Sequence, residues 1–467
     1  MVNWLAEVEQ RKDALIEDLF RLLKIPSVRE DELATVEAPV GPGPLAALEE
    51  FMRMAEEDGF TTKQFGPWAG RIEIGQGEQL LGILGHVDVV PVGTGWDTDP
   101  FEPVIIDNKI FARGSSDDKG PTVAAYFAIK ILRELGIEFN QRIHLIIGTD
   151  EESGWQCMDY YFANAEMPDF GFSPDAVFPI INGEKGNVSA TFTFDSGEFS
   201  TGDLRLASFN AGLRPNMVPQ DATAIVKGEN LEAINEAFKA FVKEAQLKGS
   251  TVTVGDTLEL ELIGKAAHGS TPDKGVNAAT YLANFLKQYN YDQQSAQDFL
   301  QILGDKLHLD FAGEKIGVNA KHEVMGELSM NVGIANYSMT DGGSIDANFR
   351  YPVGTDPETI LAAIERNVAD FVVSVTTDEG KEPHYVPADD PLVKTLLEVY
   401  ENQTGEKGFE MTIGGGTYGR LMPRGVAYGA LFPDSVDTMH QANEFLAVDD
   451  LLRATAIYAE AIYRLTR

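Results

Sequence analysis

Three short apolar runs, each ending against acids or a histidine, constrain this chain more than any other feature. Gln79-Leu-Leu-Gly-Ile-Leu-Gly85 leads into His86-Val-Asp88, and Gln141 to Gly148 leads into Thr149-Asp150-Glu151-Glu152. Gly425 to Phe432 is followed by Met439-His440-Gln-Ala-Asn-Glu-Phe445. Nearly unbroken apolar runs of this length read as parallel strands buried on both faces. Open sheets of such strands take their ligands beyond the carboxyl ends, so the polar residues just past each run are the first candidates for chemistry. A fourth stretch, Phe172-Ser-Pro-Asp175-Ala-Val-Phe-Pro179, sets one acid between two prolines ahead of Ile180 and Ile181.

Ala112-Arg-Gly-Ser-Ser-Asp117-Asp-Lys-Gly120 supplies the remaining partner. Pro121 then opens an apolar-periodic run, Val123 to Leu132, which reads as a helix with proline in its first turn. Each of these residues alone also fits an ordinary role. Acids favour a helix N-terminus, a histidine two residues before an aspartate can be a satisfied turn residue, and three consecutive acids are often a solvated loop. Together they are two histidines and four acids just beyond buried strands, which is the pattern of a dinuclear metal site. Asp117 would bridge, one histidine and one carboxylate would complete each ion, and one acid would be left to act as base. Imidazole and carboxylate donors suit zinc and tolerate cobalt or manganese. An acid beside His86 can accept its second N–H and fix its tautomer.

At 467 residues the chain exceeds what one core usually organises. With 73 acids against 37 bases its formal charge is −36, which argues against binding nucleic acid or anionic membranes. A single cysteine, Cys157, excludes an intrachain disulfide framework and reads as a small buried hydrophobe in a reducing compartment. Residues 1–23 mix charges with apolar residues at helical spacing (Leu5, Leu15, Leu19, Leu22) and lack the layout of a signal peptide. No apolar run approaches the roughly 18 residues of a membrane span. A cytoplasmic location is expected.

The segments Gly85-His-Val-Asp-Val-Val-Pro91, Arg113-Gly-Ser-Ser-Asp-Asp-Lys-Gly120, Gly148-Thr-Asp-Glu-Glu152, Ser173-Pro-Asp175 and His440 resemble the signature set of the dinuclear zinc exopeptidase and amidohydrolase family. That family includes carboxypeptidase G-type enzymes, desuccinylases, aminoacylases and carnosinases. The resemblance spans essentially the whole chain and is strongest to the dipeptidase V type of lactic acid bacteria. It implies two zinc ions: Asp117 bridging, His86 and Asp175 completing one site, Glu152 and His440 the other. It further implies Glu151 as general base, Asp88 as the partner of His86, and a cis peptide between Asp117 and Asp118. In the family an aspartate at the position of Asp175 goes with aminopeptidase-like and dipeptidase members, which favours substrates with a free amino end.

Near Asn187 the pattern changes. Val188, Ala190, Phe192 and Phe194 alternate as on a half-buried strand, and Asp221–Lys227 and Leu258–Leu262 read likewise. Helical spacing runs through Leu231, Ile234, Phe238, Phe241, Val242 and Ala245, with Gly249 as a stop, and again over Val276–Leu286 and 357–370. Further strands are expected at 328–335 and 343–351. Such strands and helices form an antiparallel sheet with helices on one face. The fold class is therefore α/β: a mainly parallel sheet with flanking helices over 1–186 and 384–467, with an inserted α+β lid over 187–383. The insert is long enough for an enlarged or duplicated sheet, although no strong internal repeat is visible.

Within the lid, His268 lies between small residues, with Gly269 to relax the backbone, so it can reach out of a loop. By the resemblance it stabilises the oxyanion and comes from the same chain, consistent with a monomer, while Asn216 and Arg350 contact substrate. Ile413-Gly-Gly-Gly-Thr-Tyr-Gly-Arg420 can present backbone N–H groups to a carboxylate, which makes Gly415, Gly416, Thr417 and Arg420 a candidate cradle for the substrate terminus. His144, His308, His322 and His384 have no comparable setting. The expected chemistry is hydrolysis of unblocked dipeptides. The alternatives are an N-acyl amino acid deacylase or desuccinylase on the same metals, a scaffold with a dead site, and a two-metal phosphodiesterase.

Overall fold

The structure, a computed structural model, describes residues 2–199 and 202–467. It comprises two compact units. The first is Met1–Gly183, Tyr385–Met411 and Gly416–Arg467; the second is Glu184–His384 with Thr412–Gly415.

The first unit is built on a twisted mixed sheet. Its strands run in the order Thr61–Phe65, Ala69–Gly75, Arg142–Gly148, Leu80–His86, Phe170–Ser173, Gly425–Ala427 and Ile181–Glu184. Leu80–His86 is parallel to both its neighbours, with His86 opposite Gly148 and Ile83 opposite Phe172. Every residue of Leu80–His86 is buried, as its unbroken apolar run requires. The helices Lys119–Glu134 and Val448–Leu465 pack their apolar faces into the same core. Pro121 sits in the first turn of Lys119–Glu134, where its missing N–H costs nothing.

Two expectations need correction here. The N-terminal periodicity is not one helix but two, Trp4–Glu9 and Lys12–Leu23. The first buries Trp4 and Val8, and Leu5 faces out. The apolar run Gly425–Phe432 is likewise divided, into Gly425–Ala427 and Ala430–Leu431, which pair with different strands.

The second unit is an eight-stranded antiparallel sheet in the order Lys248–Val254, Thr257–Ile263, Asp221–Gly228, Leu204–Ala211, Ser329–Ser338, Gly342–Tyr351, Gly186–Phe194, Ser374–Thr377. Alternate residues of Gly186–Phe194 and Thr257–Ile263 are buried. They meet the apolar faces of helices Leu231–Glu244, Ala278–Leu286, Gln294–Gln301 and Pro357–Asn367 in a separate core. Gly249 is not a helix stop. The helix ends at Glu244, Gln246 takes the left-handed turn at φ +56°, and Gly249 lies inside the edge strand Lys248–Val254.

The topology contains a repeat that the sequence hides. The hairpin Leu204–Ala211/Asp221–Gly228 is followed by helix Leu231–Glu244 and the edge strand Lys248–Val254. The hairpin Ser329–Ser338/Gly342–Tyr351 is followed by helix Pro357–Asn367 and the opposite edge strand Ser374–Thr377. The two hairpins meet at the centre of the sheet, with Phe209 opposite Tyr337 and Asn210 opposite Asn336.

Candidate metal centre

The parallel strands of the first unit deliver their polar residues to one edge. His86 is the last residue of its strand; Glu151 and Glu152 follow Arg142–Gly148, and Asp175 follows Phe170–Ser173. Asp117 lies just ahead of helix Lys119–Glu134, and its peptide with Asp118 is cis. His440 belongs to the loop that leads into strand Phe445–Ala447, with a left-handed backbone at φ +62°.

These residues converge. His86, Asp117 and Glu152 offer donor atoms that all lie within 4.8 Å of one another, and so do His86, Glu151 and Asp175. The two oxygens of Asp117 face different histidines: Oδ1 is 3.2 Å from His86 Nε2 and Oδ2 is 2.8 Å from His440 Nε2. His440 Nε2 is also 3.2 Å from Glu152 Oε1, and His86 Nε2 is 3.7 Å from Asp175 Oδ2. His86 is wholly buried, while more than half of the His440 side chain is exposed (56%).

The electrostatics call for cations. Burial, reinforced by neighbouring carboxylates, pushes the pKa values of Glu151 and Asp175 well above the usual range, and that of Glu152 up as well. Burial opposes ionisation of Asp117 too, but the contacts with His440 and His86 outweigh it and hold its carboxyl below the ordinary value. Those contacts with Asp117 and Glu152 raise His440 to about 10. The ion pairs of Asp117, Glu152 and Asp175 among the described residues are with histidines, not with lysine or arginine. Burying this many carboxylates together is costly unless a metal takes their charge. His86 Nε2 and Glu152 Oε1 are buried, and each has another candidate ligand, at 3.2 Å, as its near neighbour, as atoms facing a shared ion would. The donor set therefore fits divalent ions of the zinc type.

Asp88 does more than the sequence suggests. His86 Nδ1 lies 3.0 Å from the backbone carbonyl of Asp88, which suits an N–H there and leaves Nε2 as the donor towards a metal. The Asp88 carboxylate, 3.3 Å from the same Nδ1, accepts hydrogen bonds from the backbone N–H of Glu151 and of Glu152, each at 3.1 Å. It thus orders the very turn that carries both glutamates. Asp118 accepts from the backbone N–H of His86 (3.2 Å) and from the Thr122 hydroxyl (2.7 Å).

The second unit brings His268, Asn216 and Arg350 into one neighbourhood with part of the glycine segment. The Gly269 N–H donates to the Asn216 carbonyl (2.8 Å), and Met217 bridges His268. Arg350 donates to Asn348 Oδ1 (3.0 Å) and to the Gly414 carbonyl (2.9 Å). A Cβ on Gly414 would come 2.8 Å from the Cβ of Ser270, so glycine permits this approach to the His268 loop. Gly415 belongs to the second unit, whereas Gly416, Thr417 and Arg420 belong to the first. There Thr417 caps the short turn at Gly419 (3.1 Å).

The other residues singled out have structural settings. His144 is buried in its strand, and burial lowers it to about 4. His308 meets the Thr280 hydroxyl at 3.1 Å. Cys157 is buried with Sγ 2.9 Å from the Tyr418 hydroxyl, and burial pushes its thiol up to about 12. Among the described residues, no helix is long and apolar enough to cross a membrane.

The model of Peptidase family M20/M25/M40 matches residues 82–464. A Staphylococcus saprophyticus protein with a provisional dipeptidase name is 46% identical over 469 residues, covering 99% of each chain. The β-Ala-Xaa dipeptidase of Lactobacillus delbrueckii subsp. lactis is 43% identical over 467 residues, covering 100% of this chain and 99% of its own. The fold is shared with the aminoacylhistidine dipeptidase of Vibrio alginolyticus at a TM-score of 0.59 and 14% identity, over 97% of this chain and 96% of that one.

Proposed function

The chain belongs to peptidase family M20/M25/M40, and on that premise we propose that it is a metal-dependent dipeptidase acting on unblocked dipeptides. The observation that carries this reading is the cluster around Asp117, one of whose carboxylate oxygens faces His86 and the other His440. We assign two zinc ions to it, one held by His86 and Asp175, the other by Glu152 and His440, with Asp117 shared; cobalt or manganese would substitute. Bound there, the ions supply an acidified water and polarise the scissile carbonyl.

Glu151 is the carboxylate left over, and its place beside the ligands suits it to take the proton of the attacking water and pass it to the leaving amine. Asp88 holds the Glu151 and Glu152 backbone in register for this work. His268 is assigned to the oxyanion. Its Nδ1 accepts the Ser270 N–H at 3.2 Å, which leaves Nε2 to carry the ring proton as a donor. Gly415, Gly416, Thr417 and Arg420 are read as a cradle for the terminal carboxylate, with Asn216 and Arg350 orienting the substrate from the inserted unit. Relatives named as dipeptidases support peptide substrates, and aspartate at position 175 supports a free amino end. We read the insert, residues 187–383, as a lid, and the enzyme as a cytoplasmic monomer.

The test is a substrate pair. With two equivalents of zinc or cobalt, the protein is expected to hydrolyse a free dipeptide and to cleave its N-acetylated counterpart at least about 100-fold more slowly. Preference for the blocked compound would replace this reading with a deacylase.

A further inference from the structure

The loops carrying Asp117 and His440 are more than 300 positions apart in the chain, yet one buried ion pair holds both. Arg113 and Glu444 are each 1% exposed and meet at 2.6 Å. Glu444 Oε1 accepts the backbone N–H of Ser116 (2.8 Å) and of Asp117 itself (3.2 Å), and Oε2 accepts that of Gly114 (3.2 Å). Arg113 donates in turn to the Gln441 carbonyl (3.2 Å), one residue past His440, and to the Pro91 carbonyl (3.2 Å), close to Asp88. The Ala112 N–H donates to the Glu444 carbonyl (3.2 Å), continuing the pairing of Phe111 with Phe445.

Resting on the reading of Asp117 and His440 as metal ligands, we propose that Arg113 and Glu444 are positioning residues that fix the spacing of those two ligands and so set the affinity of the ion they share. A buried ion pair is weak evidence for stability, because apolar side chains of similar volume often do as well. This pair has a narrower use. Its carboxylate is spent on the N–H groups of the turn that aims Asp117, and its guanidinium on the carbonyl that follows a histidine held in a left-handed conformation. Groups that orient metal ligands change affinity about 10–100-fold when altered.

The experiment is a cobalt titration of the metal-free full-length protein, following the visible absorption of the bound ion. Wild type is expected to take two equivalents. Glu444→Gln, which keeps the size but loses the charge, is expected to bind the second equivalent about 10–100-fold more weakly, with an altered spectrum. Arg113→Lys keeps the charge without the planar fork and is expected to fall between the two. It also serves as the readout should Glu444→Gln fail to fold. Arg424→Ala, which removes the 2.7 Å pair with Asp390 in the same unit, should lower thermal stability and leave cobalt binding unchanged. Glu444→Gln and Arg113→Lys proteins that bind both ions with wild-type affinity and spectrum would overturn the proposal. Wild type that takes up no cobalt would overturn the metal reading beneath it.

Discussion

In the first unit the candidate ligands other than His440 project from the ends of buried strands or from turns whose backbone is gripped by buried acids: Asp88 on the 151–152 turn, Asp118 on His86, Glu444 on the Asp117 loop. In the second, His268 and Asn216 stand exposed on loops, and Arg350 lies on a strand with a half-buried side chain. The first arrangement suits ligands that must keep fixed distances while carrying charge in a dry setting. The second suits groups that meet a substrate which comes and goes. Rigid support is concentrated where like charges crowd together, because there a small displacement is expensive.

The contrast is tested by removing single groups from both units. Glu151→Gln is expected to lower turnover by about 10²–10⁴-fold while both ions stay bound; metal analysis beside a kinetic assay checks it, and loss of an ion would make Glu151 a ligand instead. Leu282→Ala, in the separate core of the second unit, should cost about 2–5 kcal/mol in chemical denaturation yet leave metal content unchanged. His268→Ala should lose about 10²–10³-fold in kcat with normal metal content.

The smallest effect concerns pH. His144 is buried in the first unit with its pKa lowered to about 4, so the unfolded chain binds the extra proton between pH 6.5 and 4. Stability therefore falls on acidification through that window, by at most about 3 kcal/mol from this residue. The slope difference between wild type and His144→Asn in pH-dependent denaturation measures it.

The same contrast explains what could be read from sequence. Apolar runs leading into His86 and Glu151 announce both the parallel sheet and the residues at its edge, since burial and chemistry share one stretch of chain. The support of that edge is silent. Glu444 and the Asp88 carboxylate act on backbone N–H groups, which every residue has, so nothing in the sequence marks their partners. Strand Leu204–Ala211 escaped because its alternation breaks at a bulge between Leu206 and Ser208. The edge strand Lys248–Val254 is almost wholly exposed, Val252 and Val254 included, so burial does not mark it. The repeated hairpin, helix and edge strand of the second unit lives in topology, not in matching residues.

The cluster is expected to hold a pair of divalent ions that share Asp117. Crystals grown with zinc and measured at its absorption edge should show two anomalous peaks flanking that carboxylate, one beside His86 and Asp175, the other beside Glu152 and His440. A single peak, or peaks held by other side chains, would leave Asp117 without the shared role assigned to it.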